Sequence, residues 1–506
     1  MTSATIRSQE LLEAVKTAQA KAVDDLTKNF VQPGSATTGL QGYDLEAPSK
    51  KLYPLLTPMR NRIPRRGGGY ATQANWKAIT GINVNGQRAG VSEGQRGGVN
   101  NHSMADYFAA YRAIGLEKSV TFEADYAARG FEDPKALAVA QTLQALMVEE
   151  EKIILGGNTS HALGTTPTPT LAASGSGGTL ATQTLSVICV ALGLQAYWDL
   201  AGMNNGATNQ SFDPVTAQVR ATITRTNADS STDTFGSGAA QKSAAGSVSV
   251  TGPTGSATAT VATVRGAYAY AWFWGAGGSE RLGALTTINS VSITAAANGA
   301  AQLASAVTAA DGSTSALEFD GLLTMVARPA LNAYYLALPT GTPGVGTTLT
   351  AAAGRIVEID TALAWWFDRY RMQPNEIHMS FRQFQRITNL VLGSTNPNVQ
   401  FTVDPSSVYN MVAGRNVGKY MSPITGEIID LVVHPNIPPG TMLFNTTVAP
   451  AYVDGVSDIV RIRTRQEYYQ IEWPLRTRRY EYGVYADEVL QHFFPPALGV
   501  ITNIAN

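Results

Sequence analysis

The feature that most constrains this chain is a stretch, residues 61–116, with too few apolar side chains to form a core of its own. It contains Arg65-Arg66-Gly67-Gly68-Gly69 and further glycines that include Gly90, Gly94, Gly97 and Gly98. The string from Ile82 to Gln87 predicts a β-hairpin, because its Asn85-Gly86 pair supplies the positive φ angles of a type I′ turn. Such a segment cannot offset the entropy of its own ordering. We therefore expect a long two-stranded excursion that packs on another subunit.

Composition narrows the class of protein. The chain has 506 residues, with Lys+Arg 37 against Asp+Glu 38 and a formal net charge of -1. A dominant nucleic-acid face would make the balance basic, so strong general affinity for nucleic acid is not expected. Charged residues are only 15%, against about 25% in typical soluble domains. A surface poor in charge and rich in small polar groups favours extensive protein–protein contact.

Few residues are suited to metal or redox chemistry. The single cysteine, Cys189, lies in an apolar run, excludes internal disulfides and is interpreted as a buried, inert thiol. No local zinc pair is expected, because the histidines are scattered at His102, His161, His378, His434 and His492. The N-terminus has no apolar signal-peptide core, and no stretch is long enough to span a membrane. We expect synthesis and folding in a reducing cytoplasm.

Helical signals dominate two parts of the first third of the chain. Residues 8–29 carry an amphipathic stripe, and a glycine- and proline-containing arm follows over 32–58. Asp133-Pro134 predicts the start of the strongest helix and Gly156-Gly157 its end. Glu149, Glu150 and Glu151 within it could form a metal or acid–base cluster. A solvated face is the favoured interpretation, because adjacent helical positions point in different directions.

Strand signals dominate residues 204–311, which we interpret as an inserted β-sandwich or barrel. Its β-prone runs are Val219–Thr226, Ser247–Thr251, Ala257–Val264, Ala267–Trp274 and Ile288–Thr294. An α+β pattern follows, with helices over 356–371 and 380–392, a strand at 377–379, and a hairpin over 417–433. Residues 458–504 predict long strands on either side of Pro474.

Motifs for catalysis are weak. The string from Gly90 to Gly94 matches G-x-S-x-G around Ser92, but that motif needs a strand before it and a helix after it. Its glycine-rich surroundings speak against a hydrolase, and no base, nucleophile and orienting residue converge. Arg65 and Arg66 could bind phosphate, although a hinge with exposed charges is the favoured interpretation.

Three arginines near the C-terminus form a pattern. Alternation places Arg461, Arg463 and Arg465 on one face of a strand and Val460 and Ile462 on the other. They could face a polyanion or form ion pairs with acidic residues of a neighbouring subunit. The second interpretation is favoured because the chain as a whole is not basic.

The order of these elements resembles the major capsid protein of tailed bacteriophages, with its Hong Kong 97-type fold. Four strings carry the resemblance: 52–64 (LYPLLTPMRNRIP), 319–323 (FDGLL), 438–441 (PPGT) and 482–487 (YGVYAD). The implied fold class is α+β, with an N-terminal arm, an extended β-hairpin loop, a peripheral domain with a long spine helix, an axial domain and an inserted all-β domain. The implied segments are 1–60 for the N-terminal helix and arm, 61–116 for the extended loop, 117–203 for the peripheral domain with its spine helix at 133–155, 204–311 for the insertion, 312–457 for the axial domain, and 458–506 for C-terminal strands returning to the peripheral domain.

The resemblance also implies a function. Identical subunits would form hexamers and pentamers of an icosahedral head around double-stranded DNA, with a portal protein, a separate scaffold protein and a decoration protein as further partners. The chain would lie in the virion after synthesis in the host bacterial cytoplasm, bind no membrane, cofactor or metal, and catalyse no reaction. Expected subunit contacts are Arg65, Arg66, Trp76, Lys77, Arg88, Arg461, Arg463 and Arg465. Lys77 lies in the loop that some members cross-link to an Asn, but no partner can be assigned, so cross-linking is not predicted.

Three alternatives stay open at this point. The first is a shell protein of an encapsulin-type bacterial nanocompartment that holds an enzyme cargo. The second is a hydrolase that uses Ser92, and the third is a tail-tube or adhesin protein, suggested by the Thr-rich β segment.

Overall fold

The computed structural model describes residues 55–82, 88–99, 102–128, 133–202, 211–307, 309–352, 354–393, 417–453 and 456–505. The predicted helix over 8–29 and most of the predicted arm lie outside these residues.

The described residues form helices and strands that are numbered here in chain order. The helices are α1 (Phe122–Ala127), α2 (Pro134–Gly156), α3 (Leu194–Leu200), α4 (Leu322–Ala327), α5 (Val357–Tyr370) and α6 (Phe381–Gly393). The strands up to the middle of the chain are β1 (Arg65–Arg66), β2 (Gln73–Ile82), β3 (His102–Ala110), β4 (Arg112–Thr121), β5 (Thr170–Ser174), β6 (Gln183–Leu192), β7 (Thr222–Thr226), β8 (Thr232–Gly236), β9 (Gly246–Val250), β10 (Ser256–Thr260), β11 (Ala269–Gly275), β12 (Arg281–Thr286) and β13 (Ser290–Ile293). The later strands are β14 (Tyr334–Ala337), β15 (Ala351–Ala352), β16 (Arg355–Ile356), β17 (Glu376–Met379), β18 (Lys419–Met421), β19 (Ile428–Val433), β20 (Met442–Asn445), β21 (Val448–Val453), β22 (Val456–Asp458), β23 (Val460–Glu472), β24 (Arg479–His492) and β25 (Gly499–Thr502).

Helix α2 begins and ends as its sequence predicts. The Asp133 carboxylate accepts hydrogen bonds from the backbone N–H groups of Lys135 (3.0 Å) and Ala136 (3.2 Å), and Pro134 occupies the first turn. At the other end, the N–H of Gly157 donates to the Ile153 carbonyl at 2.8 Å. The helix packs with buried side chains, including Leu146, against strands β4 and β24.

The sheet beneath α2 has the order β1-β23-β24-β4. β23 and β24 are antiparallel and pair from Val460↔His492 to Glu472↔Tyr482. The two-residue strand β1 lies parallel to β23 at the sheet edge, with Arg66 opposite Arg463. The C-terminal strands thus pair with a segment more than 300 residues earlier in the chain, since β24 is also antiparallel to β4.

A second sheet has the order β14-β25-β20-β17-β19-β18. Its core includes the fully buried side chains of Trp366, Ile377 and Phe444, with α5 and α6 contributing from the helical side. Strand β25 belongs to this sheet, because it pairs with β14 and β20. The prediction that residues 458–506 return as one unit to the first sheet is therefore wrong for residues 499–502.

The β-rich region consists of a three-stranded sheet, β13-β10-β5, and a four-stranded sheet, β12-β11-β6-β9. One shared core contains Trp272 and Cys189 from the larger sheet and Ile293 from the smaller one, so the two sheets pack as a sandwich. The opposite face of the larger sheet covers a separate core around Phe273. Because β6 and β11 are buried on both faces, apolar residues predominate along their length and do not alternate with polar ones.

The predicted boundary of this region at residue 204 is wrong. Strand β6 pairs with β9 and β11, and β5 pairs with β10, so the β-rich unit begins before residue 170. Pairings across such sequence distances leave no local signal. The region is also tied to the rest of the chain, because the Tyr268 hydroxyl donates to the Leu323 carbonyl at 2.9 Å and the Trp198 indole donates to the Asn436 carbonyl at 2.8 Å.

The hairpin expected within 61–116 is formed by β2 and β3, which pair from Gln73↔Ala110 to Ile82↔His102. The predicted turn at Asn85-Gly86 falls outside the described residues. It does not join the two strands directly, because β3 begins only at His102. The connection includes residues 88–99, which are exposed throughout and form neither helix nor strand.

Candidate functional site: a buried carboxylate cluster and an exposed hairpin

Two adjacent glutamates of α2, Glu150 and Glu151, are both 0% exposed. The prediction of a solvated face is therefore wrong for these two positions. Of the three glutamates, Glu149 agrees with the prediction, because its side chain is half-exposed. It forms an ion pair with Lys152 at 2.7 Å. The buried pair points into the junction between α2, residues 57–66, the β23–β24 sheet and the loop after β19. Buried carboxylates persist only where charges and donors compensate them.

Glu151 holds residues 59 and 60 by their backbone. Its carboxylate accepts hydrogen bonds from the N–H groups of Met59 (2.8 Å) and Arg60 (2.6 Å). The same carboxylate lies 2.7 Å from Nε2 of His434, which is also 0% exposed. Because the N–H of Asn436 donates to Nδ1 of His434 at 3.1 Å, Nε2 carries the imidazole proton and donates to Glu151. One carboxylate thus joins α2, the strap at 57–66 and the loop after β19.

Glu150 is the centre of an ion-pair network. It accepts from Nε of Arg60 at 2.9 Å and from the Tyr468 hydroxyl, and it forms an ion pair with Arg65. Arg65 also reaches the buried Glu488 at 3.0 Å. Burial raises the pKa of Glu488, and the nearby guanidinium of Arg65 opposes that shift. Arg65 is accordingly not the exposed hinge residue that its sequence context suggested.

A second carboxylate–imidazole pair lies beside the same strap. Glu376 accepts from Nε2 of His378 at 3.0 Å and forms an ion pair with Arg62. Burial lowers the pKa of the His378 imidazole, which is 0% exposed. The rings of His378 and His434 lie 6.4 Å apart. Residues 59–62 are therefore held by two glutamates, one at each end. Glu151 and Glu376 are each hydrogen-bonded to a buried histidine.

The three arginines of β23 lie on one face, as predicted, while Val460, Ile462 and Thr464 are buried on the other. Arg465 pairs with Asp487 of its own chain at 2.6 Å. Arg463 donates to the Gly68 carbonyl at 2.8 Å. Arg461 donates to the Gln491 side chain at 3.1 Å and lies over the Phe493 ring at 4.4 Å. Among the described residues, Arg465 is the one member of the three with a carboxylate partner.

The inner face of the β2–β3 hairpin is attached to its own chain. The Trp76 indole donates to the His492 carbonyl at 2.7 Å, and the Ile79 N–H donates to the Phe493 carbonyl at 2.9 Å. The Trp76 ring meets the His492 ring edge-on at 5.4 Å, and Ala78 is 1% exposed. The expected contact residue Trp76 is thus used within the chain.

The outer face of the hairpin is apolar and open. Phe108 is 73% exposed and Met104 is 61% exposed. Between them lies the exposed Asp106, whose carboxylate is 3.7 Å from the ammonium group of Lys77, a long distance for an ion pair. Arg88, in the connecting loop, is exposed as well. Of the expected subunit contacts, Lys77 and Arg88 are therefore accessible, whereas Arg65 and Arg465 are engaged inside the chain.

The structure contradicts the hydrolase alternative at Ser92. Residues 88–99 provide neither the strand nor the helix that a nucleophile elbow requires. No group of three potential metal ligands occurs among the described residues. Among all the residues that the structure describes, no helix is both long and apolar enough to cross a bilayer.

Sequence reasoning missed the distant residues of this buried network, namely Tyr468, Glu488, Glu376 and His434. One signal was available for Glu488. The alternation that turns Ala486 and Leu490 inward along β24 turns Glu488 inward too. The other partners lie hundreds of residues from α2 in sequence, and spacing alone does not bring them together.

Comparison with known proteins gives matches among solved structures. No protein-family model matches the chain, and no curated protein matches it. The capsid asymmetric unit of cyanophage A-1(L) is similar at 12% identity and a TM-score of 0.39, over 92% of this chain and 96% of that one. The capsid of the native GTA particle is similar at 7% identity and a TM-score of 0.40, over 96% and 99%. A structure from Mycobacterium phage Bobi is similar at 9% identity and a TM-score of 0.33, over 95% and 97%.

Proposed function

We propose that this chain is a structural shell protein, the major capsid protein of a tailed phage, which assembles through its β2–β3 hairpin. The observation that carries the proposal is the difference between the two faces of that hairpin, of which one is packed against the chain and the other is exposed. One face packs against the chain through Trp76 and Ala78, and the other presents Phe108 and Met104 to solvent. A rigidly held apolar face is a surface for a partner.

The connecting loop supports the same conclusion. Residues 88–99 are exposed throughout, and Val99 is 83% exposed. A loop of this length without secondary structure is uncommon in a compact domain unless it has a binding role. A contact between such a hairpin and a different surface on an identical subunit is heterologous, and repeated heterologous contacts close into rings.

The finer features of the proposal extend this contact to a particle. Subunits form hexamers and pentamers of an icosahedral head that encloses double-stranded DNA, with Lys77 and Arg88 at subunit contacts. The near-neutral chain, with a net charge of -1, suits a wall that confines DNA without holding it tightly. Portal, scaffold and decoration proteins are the further partners. Residues 312–457 together with strand β25 form the axial part, and the β-rich unit beginning before residue 170 is a surface addition to the shell.

The test is the assembly state of the full-length chain, measured by negative-stain electron microscopy and light scattering. We expect closed shells from the wild type. Replacement of residues 88–99 by a short Gly-Ser linker should leave folded subunits that form no shells. Ser92→Ala is the matched control, because it changes the same loop by one oxygen atom and should leave assembly intact. A wild-type chain that stays monomeric under all assembly conditions would overturn the proposal, as would normal shells from the loop replacement.

A further inference from the structure

We propose that Arg66, Arg461 and Arg463 form a receiving site for the Asp106 carboxylate on the hairpin of a second copy of this chain. This inference rests on the proposed function and names the contact that would carry it.

The three arginines form a compact group on the sheet. Arg66 lies directly opposite Arg463 in the parallel β1–β23 pair. Arg461 lies two residues earlier on the same face of β23. In strand geometry, the Cα atom of Arg66 lies about 5 Å from that of Arg463 across the strand pair. The Cα atom of Arg461 lies about 7 Å from that of Arg463 along the same strand. The site is therefore a cluster of three guanidinium groups at the edge of the sheet.

The cluster differs from the other arginines of this region because its members form no ion pair with a carboxylate among the described residues. Arg60, Arg62, Arg65 and Arg465 all have a carboxylate partner in the chain. Among the described residues, no carboxylate forms an ion pair with Arg66, Arg461 or Arg463. Burial lowers the pKa of Arg461, the positive charges of Arg463 and Arg66 lower it further, and the carboxylate of Asp458 opposes this shift without reversing it. An added anion would relieve this repulsion.

Two members of the cluster are also held in position. Arg463 is fixed by the Gly68 carbonyl at 2.8 Å, and Arg461 is fixed by Gln491 and the Phe493 ring. A guanidinium has five N–H donors, and these contacts use only part of them. A carboxylate arriving from outside would thus meet donors that have already lost much of their conformational freedom.

The outer face of the hairpin has the complementary pattern. The Asp106 side chain is 80% exposed and lies on β3 between Met104 and Phe108, which share its face. Its contact with Lys77 is long and exposed, and such pairs contribute little. Tyr70, four residues after Arg66 in sequence, is 83% exposed and offers an aromatic surface for Phe108 or Met104. In the proposed contact the Asp106 carboxylate faces the arginine cluster, and the apolar side chains beside Asp106 face Tyr70.

The alternative acid of the hairpin is Glu93, which lies in the loop between Arg88 and Arg96. The local charge around Glu93 is positive, so its approach to three arginines would bring cations together. Asp106 of the same chain contacts Lys77 rather than the cluster. The contact is therefore between copies, and it is heterologous because hairpin and receiving site are different surfaces.

A charge exchange tests the pairing in the full-length chain. Asp106→Arg and Arg463→Glu should each lower shell yield by at least about tenfold, since either places like charges at the contact. The double variant Asp106→Arg/Arg463→Glu should restore most of the yield. Asp229→Arg is the matched control, because it reverses an exposed acidic charge in the turn between β7 and β8, outside the hairpin and the arginine cluster, and should leave the yield unchanged. The thermal midpoint of each subunit shows whether it has folded.

Several results would overturn the inference. One is a folded double variant as defective as the single variants, and another is rescue of Arg463→Glu by Glu93→Arg. A third is the triple variant Arg66→Gln/Arg461→Gln/Arg463→Gln that assembles normally but loses affinity for a short DNA duplex, which would assign the cluster to nucleic acid. Wild-type shells together with any of these results leave the proposed function standing. Absence of wild-type shells removes both proposals.

Discussion

The carboxylate of Glu151 accepts a hydrogen bond from Nε2 of His434 at 2.7 Å, and both side chains are 0% exposed. The two residues are 283 positions apart in sequence. The same carboxylate also accepts the backbone N–H groups of Met59 and Arg60. The strap at 57–66, from which the hairpin extends, is thus fixed to two distant parts of the chain by a single side chain.

Glu151→Gln should destabilise the subunit and release the strap. The amide keeps the shape but cannot accept three donors, and each charge-assisted hydrogen bond contributes about 1.5–3 kcal/mol. We expect the free energy of unfolding in denaturant to fall by about 3 kcal/mol. Glu149→Gln is the control on the same helix, with a half-exposed side chain. Equal stability of the two variants would show that the Glu151 contacts contribute nothing.

Arg65→Met should also be strongly destabilising. It leaves the buried Glu150 and Glu488 with one fewer cation, and breaking a buried pair on one side costs about 3–5 kcal/mol. Arg66→Met, at the neighbouring exposed position, should change the unfolding free energy by less than about 0.5 kcal/mol. A comparison of urea denaturation midpoints measures both. A large effect at Arg66 with none at Arg65 would contradict the ion-pair network.

Elements with a local signal were predicted correctly from the sequence. Helix α2 has an Asp-Pro start and a Gly-Gly end, and its observed bounds, Pro134–Gly156, follow them closely. The alternation of Arg461, Arg463 and Arg465 likewise placed them on one face. Capping and periodicity act over a few residues, so they can be read without knowledge of the tertiary structure.

Features that depend on distant partners were missed. Glu150 and Glu151 look like solvated residues until Arg60, Arg65 and His434 are brought to them by the fold. Strand β6 was assigned to the peripheral segment 117–203 rather than to the β-rich region, because its partners, β9 and β11, come more than 50 residues later. Burial of a charge and pairing of strands are set by tertiary contacts, which a single sequence does not display.

His492→Phe should leave the subunit as stable as the wild type at pH 7 or make it more stable. Neither ring nitrogen of His492 has a hydrogen-bond partner among the described residues. The ring packs against Trp76 and Tyr107, and a phenyl ring can keep these contacts. Removal of an unsatisfied buried polar group avoids a desolvation cost of about 1–3 kcal/mol. Thermal melting of His434→Phe, which loses the bond to Glu151, provides the opposite case.

The same variant gives a pH-dependent difference. Burial lowers the pKa of His492 to about 3, with a further contribution from Arg328, whereas an unfolded histidine titrates near about 6.5. Below that value the unfolded state binds more protons, so His492 destabilises the fold as the pH falls. The stability difference between His492→Phe and wild type should grow by about 2 kcal/mol between pH 6.5 and pH 4.5. A difference independent of pH would show that His492 has the same pKa in the folded and unfolded states.

Deletion of residues 204–311 should prevent folding. The sequence alone suggests an independent insertion, but the deletion would remove β9, β10 and β11, the partners of β5 and β6. It would also expose the part of the sandwich core that remains, including Leu185 and Cys189, and remove Tyr268 from the core that it shares with Leu323. We expect insoluble protein, measured as the soluble fraction after expression. Replacement of residues 227–231, the exposed turn between β7 and β8, by a Gly-Ser sequence of equal length is the matched control and should remain soluble. A soluble deletion variant that unfolds cooperatively would show that the remaining strands β5 and β6 find a stable arrangement without their sheets.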